Sequence, residues 1–392
     1  MKILVVQESD WVEKGPHQSH HLFERLSAKG HEIRVIDFEI SWRTHEKELF
    51  SKRKVFKSQH KAIKDGNITV IRPSIVKLPL LEYISLIYSH RKEIKKQIKE
   101  FHPDVIVGFG ILNANIAIKL AKKNKIPFVY YIIDSLNTLV PQRFLRKLAK
   151  IIECRNMVDS DKVLSINEGL REYTVRMGAD PKKTDVIRAG IDFKRYNSKI
   201  KGDKIREEYG IKDDDLVLFF MGWLYDFSGL KEVASSLFRH KKIKMLIVGE
   251  GDAYEDLKKI SEESGNQIIL TGKQPFEKIP EFISASDVCL LPAYNNEIMR
   301  DIVPIKMYEY MAMEKPVIST KLPGIILEFG NDNGVVYVDK PEDVVDKVIE
   351  LNKKNLIKVE GKKARKFVEK NNWDKITEEF EEYLDKILDK KG

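Results

Sequence analysis

Residues 292–309 read Pro-Ala-Tyr-Asn-Asn-Glu-Ile-Met-Arg-Asp-Ile-Val-Pro-Ile-Lys-Met-Tyr-Glu and follow an apolar run at Val288–Leu291. Pro304 suits the first turn of a helix, so the amides around Val303, Ile305 and Lys306 become free donors at the positive end of a helix dipole. An anion fits there, and Lys306 adds a full charge to the site. Glu309 lies one turn further along the same helix, with Asp301 before the helix begins. A carboxylate has two oxygens with which to accept from a vicinal diol, so Glu309 fits a ribose while the helix start fits phosphates. Taken alone, the two acids would equally be solvated surface residues.

Glycine turns follow three other apolar runs in the same half. Gly222 comes after Leu216–Met221, Gly249-Glu250-Gly251 after Met245–Val248, and Gly272-Lys273-Gln274 after Ile268–Leu270. Ligands of open parallel sheets bind beyond the carboxyl ends of the strands, and glycine there lets backbone approach a ligand closely. Each turn is ordinary chemistry by itself. Together with the loop that ends at Glu309, the four converge on one cleft.

The elements that must position these residues form a repeating pattern. Apolar runs of four to seven residues alternate with longer amphipathic stretches, as parallel α/β domains require. The first half predicts strands at Ile3–Val6, Ile33–Phe38, Ile68–Ile71, Val105–Gly108, Phe128–Ile133, Val163–Ile166 and Val186–Ile187. The second predicts them at Leu216–Met221, Met245–Val248, Ile268–Leu270, Val288–Leu291, Val317–Ser319 and Val335–Val338, with helices in the gaps. Two Rossmann-like doubly wound α/β domains follow, over residues 1–200 and 201–372, with the polar stretch 196–202 as linker. A last helix, about Trp373 to Asp389, has no strand to return to; its apolar Ile376, Phe380, Tyr383, Leu384 and Ile387 recur at helical spacing and must pack on one of the two domains.

Composition agrees. A chain of 392 residues, 42% hydrophobic and 9% aromatic, has material for two cores. No run of 18 uncharged apolar residues occurs, and the opening Lys2-Ile-Leu-Val-Val6 is too short for a signal peptide, so the expectation is a cytoplasmic chain, neither spanning nor secreted. Cys154 and Cys289 alone make no disulfide framework and no zinc cluster. Charge is uneven: residues 1–200 hold 38 Lys and Arg against 23 Asp and Glu, and residues 201–392 hold 31 against 37. A basic half can attract nucleic acid, an anionic membrane surface or a phosphorylated substrate.

The segments Ser286-Asp287-Val-Cys-Leu-Leu-Pro292 and Pro304-Ile-Lys306-Met-Tyr-Glu309-Tyr-Met-Ala-Met-Glu-Lys315-Pro316-Val-Ile-Ser319 resemble the donor-site signature of retaining glycosyltransferases of family four, which have the GT-B fold. Ile187-Arg-Ala-Gly190-Ile-Asp192-Phe resembles that family's Pro-Asn-Gly-Val-Asp segment, and His102-Pro-Asp104-Val-Ile its Lys-Pro-Asp-Val-Ile strand. Met1 to Ile36 is similar to its opening strand, loop and helix, so the resemblance runs over essentially the whole chain. It implies two domains facing each other across a cleft, the second binding a nucleotide diphosphate sugar and the first a glycan or lipid-linked acceptor. It implies transfer with retention of configuration, in the building of surface polysaccharide or glycoconjugate. It also implies no metal and no cofactor beyond the donor substrate, with uridine diphosphate placed ahead of guanosine diphosphate.

Roles follow from the resemblance. The family pairs two acids with seven residues between them, here Asp301 near the donor sugar, in place of the usual Glu, and Glu309 on the ribose. The loop at Gly272-Lys273-Gln274 would meet the base through its backbone. Gly15 and His17, in the turn after the first strand, and Asp134, after the fifth, would face the acceptor. The terminal helix would cross back to the first domain. The family's Arg after the first glycine and Lys five residues later, which neutralise the leaving diphosphate, are replaced by Trp223 and Ser228. Lys306 and the helix amides are then the best substitutes, with Arg300 and Arg188 as further cations.

His20 and His21 are expected on the surface of the opening helix, and the histidine group lacks metal-ligand spacing. Two basic amphipathic stretches, Arg143–Ile152 and Ile84–Lys99, either pack on the sheet with a solvated face or lie on anionic lipid, which would give a peripheral membrane contact through the first domain. The rival readings are a sugar-nucleotide 2-epimerase of the same fold and a catalytically inactive basic protein that binds nucleic acid. The latter needs aromatics interleaved with the cations, and Trp42, Phe50, Phe56, Tyr83 and Tyr88 form no known module.

Overall fold

Leu216–Met221 is buried on both faces, as a strand inside a parallel sheet must be. In the computed structural model, which describes residues 1–13, 15–39, 49–300 and 302–389, it lies third in a six-stranded sheet. The order is Ile268–Leu270, Ile243–Val248, Leu216–Met221, Val288–Leu291, Val317–Thr320, Val335–Val338, all parallel. Chain order reverses between Leu216–Met221 and Val288–Leu291. These two strands are in register at only two pairs, Leu218 with Val288 and Phe219 with Cys289, so they diverge toward their carboxyl ends. The divergence makes the crevice in which such sheets hold ligands.

The other sheet has eight strands, in the order Thr184–Val186, Lys162–Ser165, Phe128–Ile132, Val105–Phe109, Lys2–Gln7, Glu32–Ile36, Ile68–Arg72, Lys54–Gln59. All neighbours are parallel except the last pair. Lys54–Gln59 was not expected from its sequence, because its side chains are mostly exposed and two are lysines, as befits an edge strand. A short antiparallel pair, Phe50–Ser51 with Ile75–Val76, was missed as well.

The chain divides into two units, Met1–Ala189 with Trp373–Gly392, and Gly190–Asn372. The boundary therefore precedes the expected linker at 196–202. Polar residues there make turns, as when the Lys199 amide donates to Asn197 Oδ1, while the apolar ones pack. Tyr196 is buried beside Ile191 and Ile205 in the second core, and a Cβ on Gly202 would meet the backbone of Ala285 at 2.2 Å.

The helix Trp373–Asp389 packs on the first unit. Its buried stripe, Trp373, Ile376, Phe380 and Leu384, joins Leu22, Phe23, Phe109 and Tyr131. Phe380 meets Phe23 edge-on at 5.7 Å between centroids, and Trp373 stacks on His21 at 4.2 Å. Glu381 accepts from Lys29 and His31, each at 2.6 Å. Deleting the Phe380 ring leaves a cavity that packed neighbours fill only partly. Phe380→Ala is expected to destabilise the first unit by about 3–5 kcal/mol. Chemical denaturation followed by tyrosine and tryptophan signals should show the first unit's transition moved to lower denaturant, with the second unit's unchanged.

Candidate functional site

Met221 ends its strand at the crevice of the second unit, and the helix Ile305–Ala312 holds both of its backbone groups. The Met221 amide donates to the Tyr310 hydroxyl at 2.9 Å, and the Lys306 ammonium donates to the Met221 carbonyl at 3.0 Å. Pro304 precedes the helix as its cap rather than standing in its first turn, so the amides without a side-chain cap among the described residues are those of Ile305 and Lys306, with Val303 buried before them. The side chain of Lys306 does not simply project into solvent as a full charge. Its nitrogen lies 3.8 Å from the Phe220 ring centroid and 3.3 Å from where a Cβ on Gly222 would stand. Burial pushes its pKa down to about 7, which the Glu309 charge partly opposes.

Glu309, one turn on, is pushed up to about 7 by burial, against the pull of Tyr196, Arg195 and Lys306. The buried Tyr196 hydroxyl faces this carboxylate without closing a hydrogen bond of ordinary geometry. Arg195 lies over the Phe276 ring at 4.5 Å, which ties the loop after Gly272 to the same group. Arg195 and Tyr196 were not among the expected site residues. The signal for them was the Asp192 turn, whose side chain accepts from the amides of Lys194 and Arg195 and so fixes both residues that follow.

The glycine turns meet each other more than they meet open space. A Cβ on Gly249 would come within 1.9 Å of the Gly222 carbonyl, and one on Gly251 within 2.4 Å of the Leu224 amide. Contact between neighbouring loops is by itself enough to require glycine at these two positions. Gly272 has nothing within 4 Å of a Cβ; Lys273 beside it is exposed, and Gln274 bonds the Thr271 carbonyl at 2.9 Å. Trp223 turns its ring to Asp252 at 3.3 Å, and Ser228 is buried. Arg300 is exposed and lines an open pocket of about 440 Å³ with Asn295, Asn296, Glu297 and Pro323. Asp301 lies outside the described residues. A larger open pocket, about 740 Å³, between the helices Leu230–Ser236 and Val344–Lys353 contains none of these groups.

The first unit holds the remaining candidates. His17 caps the helix Gln18–Ala28, and its amide donates to His20 Nδ1 at 3.1 Å. A Cβ on Gly15 would collide with the same ring at 2.7 Å. His20 is not a surface residue: it is buried, stacks on Trp11 and bonds the Trp11 carbonyl through Nε2 at 2.9 Å. Burial lowers its pKa to about 3, so it is neutral and fixes the loop. His21 is on Trp373, as above. Asp134 follows Phe128–Ile132; burial raises its pKa to about 6, and the turn Leu136–Leu139 after it has no side-chain cap. Arg188 lies in this unit, 3.7 Å from Glu168, and its carbonyl accepts from Gln18 at 3.1 Å.

A family model described as Glycosyl transferases group 1 matches residues 201–374, and one described as Glycosyltransferase Family 4 matches residues 18–195. The chain thus carries a Glycosyltransferase Family 4 domain followed by a Glycosyl transferases group 1 domain. It is similar to TuaC of Bacillus subtilis (strain 168), described as a teichuronic acid biosynthesis glycosyltransferase, with 23% identity over 256 residues. That match spans 64% of this chain but only 61% of TuaC. Among solved structures, sucrose-phosphate synthase from Thermosynechococcus elongatus superposes with a TM-score of 0.77 at 15% identity, covering 99% of both chains. HepE of Anabaena, in complex with UDP, superposes with a TM-score of 0.72 at 15% identity, over 98% of this chain and 100% of the other. At such identity the likeness shows the fold, the two-domain α/β GT-B arrangement.

Lys306 and Glu309 each support the charged form of the other. Removing the carboxylate charge must therefore lower the lysine further. In the ligand-free protein the Lys306 ε-carbon resonance is expected to titrate near pH 7, and in Glu309→Gln at lower pH still. An unmoved midpoint in the variant would show that the two groups do not sense each other.

Proposed function

We propose that this chain moves a sugar from a nucleotide diphosphate sugar to a glycan or lipid-linked acceptor, with retention of configuration, in assembly of a surface polysaccharide. The observation that carries this reading is the meeting of Lys306, two helix amides and Glu309 at the reversal of strand order in the second unit. The diphosphate would lie against the Ile305 and Lys306 amides with the Lys306 ammonium beside it, and the ribose would donate to Glu309. Lys306 stands next to Gly222, so it can serve where the family's cations are replaced by Trp223 and Ser228. Asp301 is assigned to the sugar hydroxyls. UDP in the HepE complex supports uridine diphosphate, and the name of TuaC supports a cell-envelope glycan.

In the reaction the bond from the sugar's anomeric carbon to the diphosphate oxygen breaks and a bond to the acceptor oxygen forms on the same face. The acceptor's proton passes to the departing phosphate oxygen. Negative charge grows on the diphosphate as the sugar leaves, so a cation there is worth more in the transition state than in the ground state. Lys306→Ala is expected to lower kcat by about 100-fold or more in a steady-state transfer assay, with partial recovery in Lys306→Arg. Glu309→Ala should weaken UDP itself by about 1.5–3 kcal/mol in calorimetry. Parent-like kcat in the first variant, or parent-like UDP affinity in the second, removes that residue from its role. Product formation from donor alone would favour the epimerase.

Binding should also move protons, in opposite directions on either side of neutrality. Above pH 7 Lys306 is mostly neutral in the free protein, and a diphosphate beside it raises its pKa, so binding takes up a proton. Below pH 7 Glu309 is mostly protonated, and accepting from ribose hydroxyls lowers its pKa, so binding releases one. UDP titrations in buffers of different ionisation enthalpy are expected to show net uptake near pH 8 and net release near pH 6.

We also propose that the first unit rests on anionic lipid. No helix of the described residues is long and apolar enough to cross a membrane. The helix Arg146–Asp159 nevertheless turns Ala149, Glu153, Asn156 and Met157 inward and leaves Leu148 and Ile151 exposed, with Phe144 just before it 71% exposed. The helix Leu81–Phe101 exposes Ile84, Ile87 and Tyr88 near its start, and Tyr83 in that turn donates to Gln142 at 3.0 Å, which brings the two apolar patches together. Further along, Ile94 is buried, so only the first half of this helix fits the lipid reading. Arg143, Arg146, Lys147 and Lys150, all exposed, surround the patch. Replacing these four by Glu should abolish sedimentation with phosphatidylglycerol vesicles while UDP affinity stays at the parent value. Equal sedimentation of the parent with neutral vesicles would defeat the electrostatic part of this reading.

A further inference from the structure

The two units follow one plan and differ at the place where a phosphate would go. In both, strand order reverses between the first strand and the strand whose following helix starts at the crevice. In the second unit those strands share two register pairs, and among the described residues no carboxylate bonds the Ile305 and Lys306 amides. In the first unit Lys2–Gln7 and Val105–Phe109 stay in register through five pairs, and the Glu8 amide extends the ladder to the Phe109 carbonyl at 3.2 Å. The helix Leu112–Lys123 then begins under the Glu8 side chain. Glu8 Oε1 accepts from the amides of Ile111 at 3.1 Å and Asn113 at 2.8 Å, and the Leu112 amide bears on the same carboxylate.

Asn113 supplies an independent sign that this spot is built for a polar guest. It is fully buried, and among the described residues neither its Nδ2 nor its Oδ1 has a partner. A Cβ on Gly110, at φ +140°, would come within 2.7 Å of Asn113 Oδ1 and 3.1 Å of the Glu8 carboxyl carbon. Carboxylate, amide side chain and helix amides thus surround one point. Hydrophobic packing gives no reason to bury an unpartnered amide there, since each such group costs about 1–3 kcal/mol. The arrangement is a phosphate cradle in which a carboxylate of the same chain takes the phosphate's place.

The charge distribution says why such a plug matters. The first half carries 38 Lys and Arg against 23 Asp and Glu. An open helix start inside that body would compete for any polyanion. We infer that Glu8 fills, from within the chain, an anion site at the first unit's strand reversal, and so confines the nucleotide diphosphate to the second unit. This rests on the donor reading given above.

The test uses the full chain, labelled with nitrogen-15 and titrated with inorganic pyrophosphate. In the parent, only the Ile305 and Lys306 amides are expected to shift. In Glu8→Ala, and in Glu8→Ser, which keeps a hydroxyl to cap one amide, the Ile111 and Asn113 amides should shift as well, with affinity there at least about ten-fold above the parent's. Pyrophosphate should then raise the Tm of either variant further than that of the parent, a reading that needs no assignment. Parent shifts at Ile111 and Asn113 equal to those of the variants would overturn the inference, as would absence of shifts and of any extra Tm gain in a folded variant. Silence at Ile305 and Lys306 would count against the donor reading alone.

Discussion

A backbone residue that has run out of sheet sets the geometry of the second unit. Met221 lies beyond the last register pair between its strand and Val288–Leu291, yet its amide and carbonyl still point to that side and must be satisfied. Tyr310 and Lys306, four residues apart and therefore on one face of their helix, supply the two partners. This pair of bonds fixes the helix against the strand end, and with it the amides of its first turn and the carboxylate of Glu309. The Lys306 ammonium is drawn out of water to do so, which is why its proton is held loosely. One contact thus serves packing and charge together.

The sheets were legible because their inner strands are buried on both faces. Leu216–Met221 and Val288–Leu291, buried on both faces, have the expected limits to the residue, as do the half-buried edge strands Ile268–Leu270 and Val335–Val338, whose apolar runs also end at polar residues or glycine. Lys54–Gln59 was illegible for the opposite reason: an edge strand that shows lysines to solvent carries no hydrophobic pattern. The unit boundary was displaced because Tyr196 and Ile200, two apolar residues in a polar stretch, pack four apart while their neighbours make turns.

Within the site, Lys306 and Glu309 could be found from spacing alone, because three residues on a helix are close to one turn. Arg195 and Tyr196 could not, because more than a hundred residues separate them from Glu309 and only the tertiary fold brings them together. His20 shows the same limit. A histidine two residues into a helix reads as surface, and its burial follows from a loop that wraps back to place Trp11 against its ring. Gly249 and Gly251 stand in the expected turns, and their need for glycine includes mutual packing of loops, which a sequence does not distinguish from room for a ligand.

The helix Trp373–Asp389 completes a core that begins at Ile3. Because all of Gly190–Asn372 is synthesised between the two, the first unit emerges from the ribosome with the surface of Leu22, Phe23 and Tyr131 uncovered. At about 5–20 residues per second that interval is roughly ten to forty seconds. Nascent chains of this protein therefore pass through a stage in which the second unit can fold by itself while the first awaits its closing helix. During that stage an exposed aromatic groove is open to chaperones, and to the same helix of a neighbouring chain on a polysome.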